Sequence, residues 1–525
     1  MLILVGKGGS PSDLAHRVPD HCKRTRRRRN LSPLSTHRTS LVGRVKRYYI
    51  MADGPTVSLQ SDGLQPGHDI FCTPNNDAFH ASSLYSELDV AQQEVRLVKL
   101  WPGTGDDVIE CTLLPGAPLL DLKGRYTAPS YCAGSAKNTE PIVLNGTAFN
   151  VFANLAHALR EVRQFWSTTY GDRECLLWVD QISINQYDID ERSSQVRFMR
   201  EIYQYAEQVL VCLSTKNDDP RGMLWLIQLA RDLGTYTTWQ DESFASRARG
   251  AHDSALKSYI SHNSGSEEFL EGCRASYNVL GAPWFTRAWV FQEFIVAAKV
   301  QFMYSGVHAS WETIRPALKA ICKGRSYLDV VETPHKRRSL SFRVWRSLNA
   351  PLNRVALATE SKSNWCGEMD LKKLLRHSRA CDASDPRDKV FAYIGLTDPA
   401  YGILPNYSHS INQVLIDTTE RIIKTENSLE VLEHAIDSAP PLDPSLPSWV
   451  VDWRRNCVYA RDDDHLRSHH PGLEKVQANV SFHEPETFSD FPRALQVDGI
   501  FVNRRLNFIG KQNQSYIMRS TLTRF

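Results

Sequence analysis

The chain lacks the paired cysteines that build a metal centre or a disulfide framework. Its eleven cysteines are scattered over 525 residues, their number is odd, and no two stand in a Cys-x-x-Cys pair. That usage fits reduced thiols in an intracellular protein. No apolar run approaches the ~20 residues a membrane helix needs, so no membrane span is expected. The Gly-rich VGKGGS at residues 5–10 lacks the Gly-x4-Gly-Lys-Ser/Thr spacing and any following amphipathic helix, which excludes a phosphate loop. Asp462-Asp-Asp-His465 with His469 and His470 has no ordered ligand spacing. It reads as a hydrated loop, and no metal site is expected.

What is present is an ordinary globular composition, 42% hydrophobic and 23% charged, in a chain too long for one core. The net charge of +3 conceals an asymmetry. Residues 1–50 hold twelve Lys/Arg against two Asp, a net of +10, so the remainder carries −7. A mildly acidic body argues against a broad nucleic-acid surface. The basic leader, with Lys23-Arg-Thr-Arg-Arg-Arg-Arg29, leaves three readings open: a nuclear or nucleic-acid patch, a mitochondrial transit segment, or an unstructured extension upstream of Met51. The last is preferred, which makes the cytoplasm the expected location.

The most informative stretch is LLWVDQISINQYDIDERSSQ, residues 176–195. Leu176 to Val179 reads as a short buried strand ending at Asp180. In open parallel sheets ligands sit beyond such strand ends, so an acid there is well placed to touch one. A helix from about Glu191 buries Val196, Met199, Tyr203 and Ala206. Gln208 to Ser214 returns as a second strand, completing a βαβ unit. Val95–Leu100 and Val108–Leu113 alternate around Pro102, Gly103 and Gly105, which predicts a β-hairpin. Tyr126–Tyr131 reads as the first core strand, although Pro129 suits an edge better than a centre. A helix is expected from about Phe149 to Phe165, a short one over Met223–Leu233, and an irregular insertion over 235–280.

The second informative stretch is WFTRAWVFQEFIVAA, residues 284–298. It predicts a helix that is apolar nearly all round and hence buried, with Gln292 and Glu293 as its polar interior members. A buried carboxyl is costly unless paired or protonated. Glu293 is therefore a salt-bridge partner of Arg287 or Lys299, a cap on a neighbouring loop, or a functional acid. Strand 299–304, ended by Gly306, and a helix from Ser310 follow. Downstream, the basic stretch 325–347 with Lys336-Arg-Arg338 reads as a solvated face. Helices are expected over Met369–Arg379, Lys389–Ile394 and Val414–Lys424, with Asp385 or Asp388 as a cap, and a strand near Val497.

VDQISINQ with Glu191-Arg192, Gln195, Met199, Ile202-Tyr203 and Ala206 resembles the signature of the fungal heterokaryon-incompatibility (HET) domain. YTAPSYCAG, Ile142–Gly146, WFTRAWVFQE, DPRDKVFAYIGL and LPSWVVDW resemble further motifs of that family in the same order. Gln181, Ser183, Pro129 and Ala133 depart from it. The resemblance implies a β-hairpin lead-in over 83–120, a HET domain over 121–322 and a helical or mixed C-terminal region over 323–525. It implies an α/β fold with a TIR-like or flavodoxin-like parallel sheet, flanked by helices and followed by a mainly helical C-terminal extension. HET domains resemble Toll/interleukin-receptor (TIR) domains, whose W-x-x-x-E places a Trp one turn before a catalytic Glu. Trp289 and Glu293 have that spacing.

By that resemblance Glu293 is the catalytic acid of an NAD glycohydrolase, with Asp180, Tyr131, Arg192 and Trp289 around the substrate. NAD is then a substrate, and no cofactor is required. The implied role is an effector of cell death in non-self recognition, activated by self-association or by another HET or sensor protein. The alternative class is a non-catalytic interaction scaffold, and nucleic-acid binding through the leader ranks last.

Overall fold

The computed structural model describes residues 85–237, 266–330, 340–436 and 449–455. It also describes residues 76, 259, 262, 263, 443, 446 and 447, and four short strands between 479 and 517. The basic leader, the Gly-rich VGKGGS, Lys336–Arg338 and the Asp462–His470 cluster lie outside the described residues.

Eleven strands precede the C-terminal helices. They are β1 (Glu94–Val95), β2 (Val98–Leu100), β3 (Glu110–Leu113), β4 (Ala117–Pro118), β5 (Thr127–Tyr131), β6 (Thr139–Leu144), β7 (Thr147–Phe152), β8 (Cys175–Leu177), β9 (Gln208–Cys212), β10 (Val300–Tyr304) and β11 (Val307–Ser310). β1 and β4 pair as a small separate ribbon. The other nine form one sheet in the order β11-β10-β9-β5-β8-β2-β3-β6-β7.

Within that order β8, β5, β9 and β10 are mutually parallel. β2 pairs antiparallel with both β8 and β3, and the β6–β7 and β10–β11 hairpins are antiparallel. The sheet is therefore mixed: four adjacent parallel strands carry antiparallel neighbours on both sides, and β3 and β6 form a second parallel pair. The lead-in hairpin forms as expected, between β2 and β3, and it is built into the main sheet.

Pro129 occupies a central strand after all. β5 meets β8 only at the Thr127–Leu177 pair, so the missing N–H of Pro129 interrupts no ladder there. Its carbonyl instead accepts from the Tyr203 hydroxyl at 3.2 Å. Every residue of β5 and β9 is buried. Both strands are touched by α1 (Ala153–Tyr170), as buried parallel strands require cover.

α1 starts four residues later than its periodicity suggests. Asn145 and Gly146 turn the chain at positive φ, and Thr147–Phe152 returns as β7 before the helix begins. Leu155, Leu159 and Val162 then face the core. After β8, Asp180 opens a single helical turn, α2 (Asp180–Ser183), followed by α3 (Ile189–Arg197), capped by Asp188, and α4 (Met199–Tyr205). Val196, Met199, Tyr203 and Ala206 are all buried.

α5 (Arg221–Thr237) packs against α6 (Glu267–Leu280), an ordered helix inside the stretch expected to be irregular. Ser266 caps α6, and Phe269, Leu270 and Cys273 recur on its buried face. The next helix is shorter than expected. A 3-10 turn over Pro283–Thr286 precedes α7 (Trp289–Ile295), whose seven residues are all buried.

The strand β10 turns at Ser305 and Gly306, both at positive φ, into the edge strand β11 and then α8 (Trp311–Val330). Five more α-helices follow among the described residues: α9 (Leu340–Ser363), α10 (Leu371–Ser378), α11 (Asp388–Ile394), α12 (Ile411–Glu426) and the single turn α13 (Glu433–Ile436). α9 and α11 pack directly on α7. A four-stranded antiparallel sheet lies beyond residue 478. The eight described cysteines form no disulfide with one another. No helix among the described residues is long and apolar enough to cross a membrane.

Candidate functional site

Glu293 is completely buried. The Ser130 hydroxyl donates to its Oε2, and the Trp284 indole N–H donates to that same hydroxyl at 2.8 Å. Its Oε1 has no hydrogen-bond partner among the described residues. Burial pushes the carboxyl pKa up, the Arg287 charge and the Ser130 bond pull it down, and the Asp180 charge raises it again. Neither expected ion pair forms. Lys299 is exposed, and no guanidinium nitrogen of Arg287 makes a hydrogen bond among the described residues.

Asp180 and Tyr131 meet at the carboxyl end of the parallel strands. Tyr131 closes β5, and its hydroxyl donates to Asp180 Oδ1 at 2.8 Å. Burial first, then the Asp180 charge, holds the phenol well above its ordinary pKa. The Asp180 backbone carbonyl accepts from Gln186 at 2.8 Å, which ties the signature loop to the strand end. Because the charges of Asp180 and Arg287 both act on Glu293, these groups share one electrostatic neighbourhood.

Arg192 and Trp289 belong to a different cluster. The Arg192 guanidinium lies 4.5 Å over the Tyr407 ring, and Arg387 approaches the same ring at 5.1 Å. Tyr407 donates to Asp388 Oδ1 at 2.8 Å, and Arg387 forks onto Asp385 at 2.9 and 2.6 Å. Burial pushes the Asp388 carboxyl up to about 8, with the Asp385 charge adding to the rise and Trp289 and Tyr407 opposing it. Asp388 is thus a buried acid of the C-terminal region. Of the five residues singled out in the sequence, the fold joins Glu293, Asp180 and Tyr131 and sets Arg192 and Trp289 against the C-terminal helices.

Other signature residues hold the scaffold. Arg96 of the lead-in is buried and makes a two-pronged ion pair with Glu191 at 2.7 and 3.0 Å. Glu191 also accepts from the Asn185 amide at 2.7 Å, and Gln195 donates to the Glu94 carbonyl at 2.8 Å. Ser183, in the place of the family's usual cysteine, accepts from the Val179 amide at 3.0 Å. The sequence reading missed Ser130 and Trp284, both at motif positions, because pairing across 154 residues leaves no local periodicity.

The acid cluster is closed: Ser130, Tyr131, Asp180 and Glu293 are all buried. A cavity of about 10 Å³, room for roughly one water, touches Trp284, Arg287, Phe291, Phe294 and His377 but is lined by none of those four. A larger open groove of about 630 Å³ lies between α5 and the β10–β11 turn and shares no lining residue with the cluster. No group of three or more metal-ligating side chains occurs among the described residues.

Residues 126–293 match the family model for heterokaryon incompatibility protein (HET). Over 431 residues the chain is 27% identical to heterokaryon incompatibility protein 6, OR allele, of Neurospora crassa. The match covers 72% of this chain and 61% of that relative, so the chain spans about three-fifths of the relative's length. No solved structure matches the chain. Ser130, Tyr131, Asp180 and Glu293 all fall within the matched segment, so the acid cluster lies in the part of the chain that matches the HET domain.

Proposed function

We propose that this protein acts in heterokaryon incompatibility as a cell-death effector, and that its HET domain is a TIR-like NAD glycohydrolase with Glu293 as the catalytic carboxylate. The reading rests chiefly on one observation: a fully buried carboxyl with one oxygen held by Ser130 and the other without a hydrogen-bond partner among the described residues. Cleavage would break the bond between ribose C1′ and the nicotinamide nitrogen. The pyridinium nitrogen keeps the bonding electrons and leaves as neutral nicotinamide, so no strong general acid is needed. Water adds to C1′ and releases a proton, giving ADP-ribose. A carboxylate near the oxocarbenium-like ribose stabilises that transition state.

The closed cluster supports a restrained resting form. In it, burial favours the neutral carboxyl of Glu293; opening would rehydrate the group, lower its pKa and supply the anion. Phe291 of α7 stacks on His377 and Tyr393 of α10 and α11, with ring centroids 4.7 and 5.9 Å apart, so an opened state displaces these C-terminal helices. Self-association, or a HET or sensor partner, is the proposed trigger, and the cytoplasm the proposed location.

The second reading is a non-catalytic scaffold of the same pathway, and the small size of the cavity favours it. The two separate on incubation of purified, forcibly clustered protein with NAD while nicotinamide is followed. Release that disappears in Glu293→Gln supports catalysis; no release under any clustering supports the scaffold.

A further inference from the structure

Arg287 carries a buried guanidinium with nothing to hold. It is 1% exposed, and none of its three side-chain nitrogens makes a hydrogen bond among the described residues. A buried cation in that condition is strongly destabilising, and arginine cannot escape by losing its proton. Its backbone cannot carry it outward either. The Arg287 amide donates to Trp284 at 3.2 Å, and Arg287 bridges to Asp382, whose carbonyl accepts from Ala288 at 3.1 Å. The head group acts electrostatically on Glu293, Tyr131, Tyr203 and Cys132, so it sits among the site's own residues.

Two buried groups with unused valences among the described residues thus share one electrostatic neighbourhood without bonding to each other. Glu293 Oε1 needs a donor, and the Arg287 fork needs an anion. One ligand that satisfies both must offer a hydroxyl to the first and paired anionic oxygens to the second. A guanidinium fork matches a phosphate in two-pronged fashion. A ribose 5′-phosphate carries both groups within one small unit.

We infer that Arg287 is the phosphate-binding residue of this site, gripping the diphosphate of a nucleotide whose ribose hydroxyl meets Glu293. The inference rests on the NAD reading above and adds the anchor for the substrate's charged end.

The test uses the full chain under the same clustering and reads binding of ADP-ribose, which needs no cleavage, with inorganic pyrophosphate as a second probe. Wild type binds ADP-ribose, Arg287→Lys binds at least tenfold more weakly, and Arg287→Met does not bind. Arg287→Met, relieved of an unpaired charge, melts at or above the wild-type temperature. ADP-ribose binding that depends on Arg287 without any nicotinamide release sinks the catalytic reading and keeps this one. Absence of binding of either probe to wild type, or undiminished binding by Arg287→Lys and Arg287→Met, overturns it. A melting temperature lowered in both variants shows that Arg287 is a structural partner, and equally overturns it.

Discussion

Ser130 and Glu293 stand 163 positions apart in the chain, and the hydroxyl of the first donates to the carboxyl of the second. That bond fastens the central strand β5 to α7, and it gives a buried acid its one hydrogen bond from a described side chain. Ser130→Ala leaves both that oxygen and the Trp284 indole N–H unsatisfied. Each such loss costs about 1–3 kcal/mol, so urea unfolding should show a destabilisation of about 2–6 kcal/mol. Unchanged stability would mean that the bond is not made in solution.

The pH dependence should carry the mark of Asp388. Its carboxyl is raised from 3.8 to about 8, so the folded form keeps a proton that the unfolded chain gives up. Its stabilising contribution is whole below pH 3.8 and declines as the pH rises towards 8, by at most about 1.4 kcal/mol per unit. Asp388→Asn removes this slope while leaving the smaller one from Glu293, whose shift has the same sign. Unfolding midpoints measured between pH 5 and 8.5 should therefore run flatter in the variant. Parallel curves would contradict the assignment.

Tyr407 joins the HET domain to its C-terminal cover. Its ring lies against Arg192 from the domain and Arg387 from the cover, and its hydroxyl serves Asp388. Tyr407→Ala should cost about 3 kcal/mol or more through lost packing, and Tyr407→Phe about 1–3 kcal/mol through the hydroxyl alone. Amide hydrogen exchange across 289–295 should speed up in the alanine variant and stay near wild type in the phenylalanine one.

The buried pair of Arg96 and Glu191 gives a test of the scaffold reading. Their side chains are 1% and 10% exposed. Arg96→Met strands the carboxylate and should cost about 3–5 kcal/mol, whereas adding Glu191→Gln should recover much of that loss. A double-mutant cycle by denaturant unfolding measures it. A coupling near zero would indicate that the pair contributes nothing to stability.

Much of this organisation was legible in the residues themselves. The apolar girdle of Trp289–Ile295 announced a buried helix, and Gln208–Cys212 a buried strand, because continuous hydrophobic runs have few other folded outcomes. Asp180 was placed at a strand end by the abrupt stop of an apolar run. What stayed hidden depended on distant partners. β11 is four residues long and half exposed, so it has no pattern strong enough to stand out. The neighbours of Arg192 come from the segment around 385–409, which nothing near position 192 foreshadows. Arg287 and Lys299 are both near enough in the chain to pair with Glu293, yet in the fold Arg287 is held by the 3-10 turn and its join to Asp382 without bonding to the acid, and Lys299 is exposed.

The placing of β2 and β3 governs how this molecule can be dissected. These strands sit between β8 and β6, in the interior of the nine-stranded sheet, yet they precede residue 126, where the family match begins. A fragment cut to the matched segment would tear the sheet along its middle and bare the hydrogen-bonding flanks of β8 and β6. Raw flanks of that kind seek other chains to pair with. Excised protein starting at 126 should therefore clump, and any self-association seen with it would report on the scissors and not on the biology.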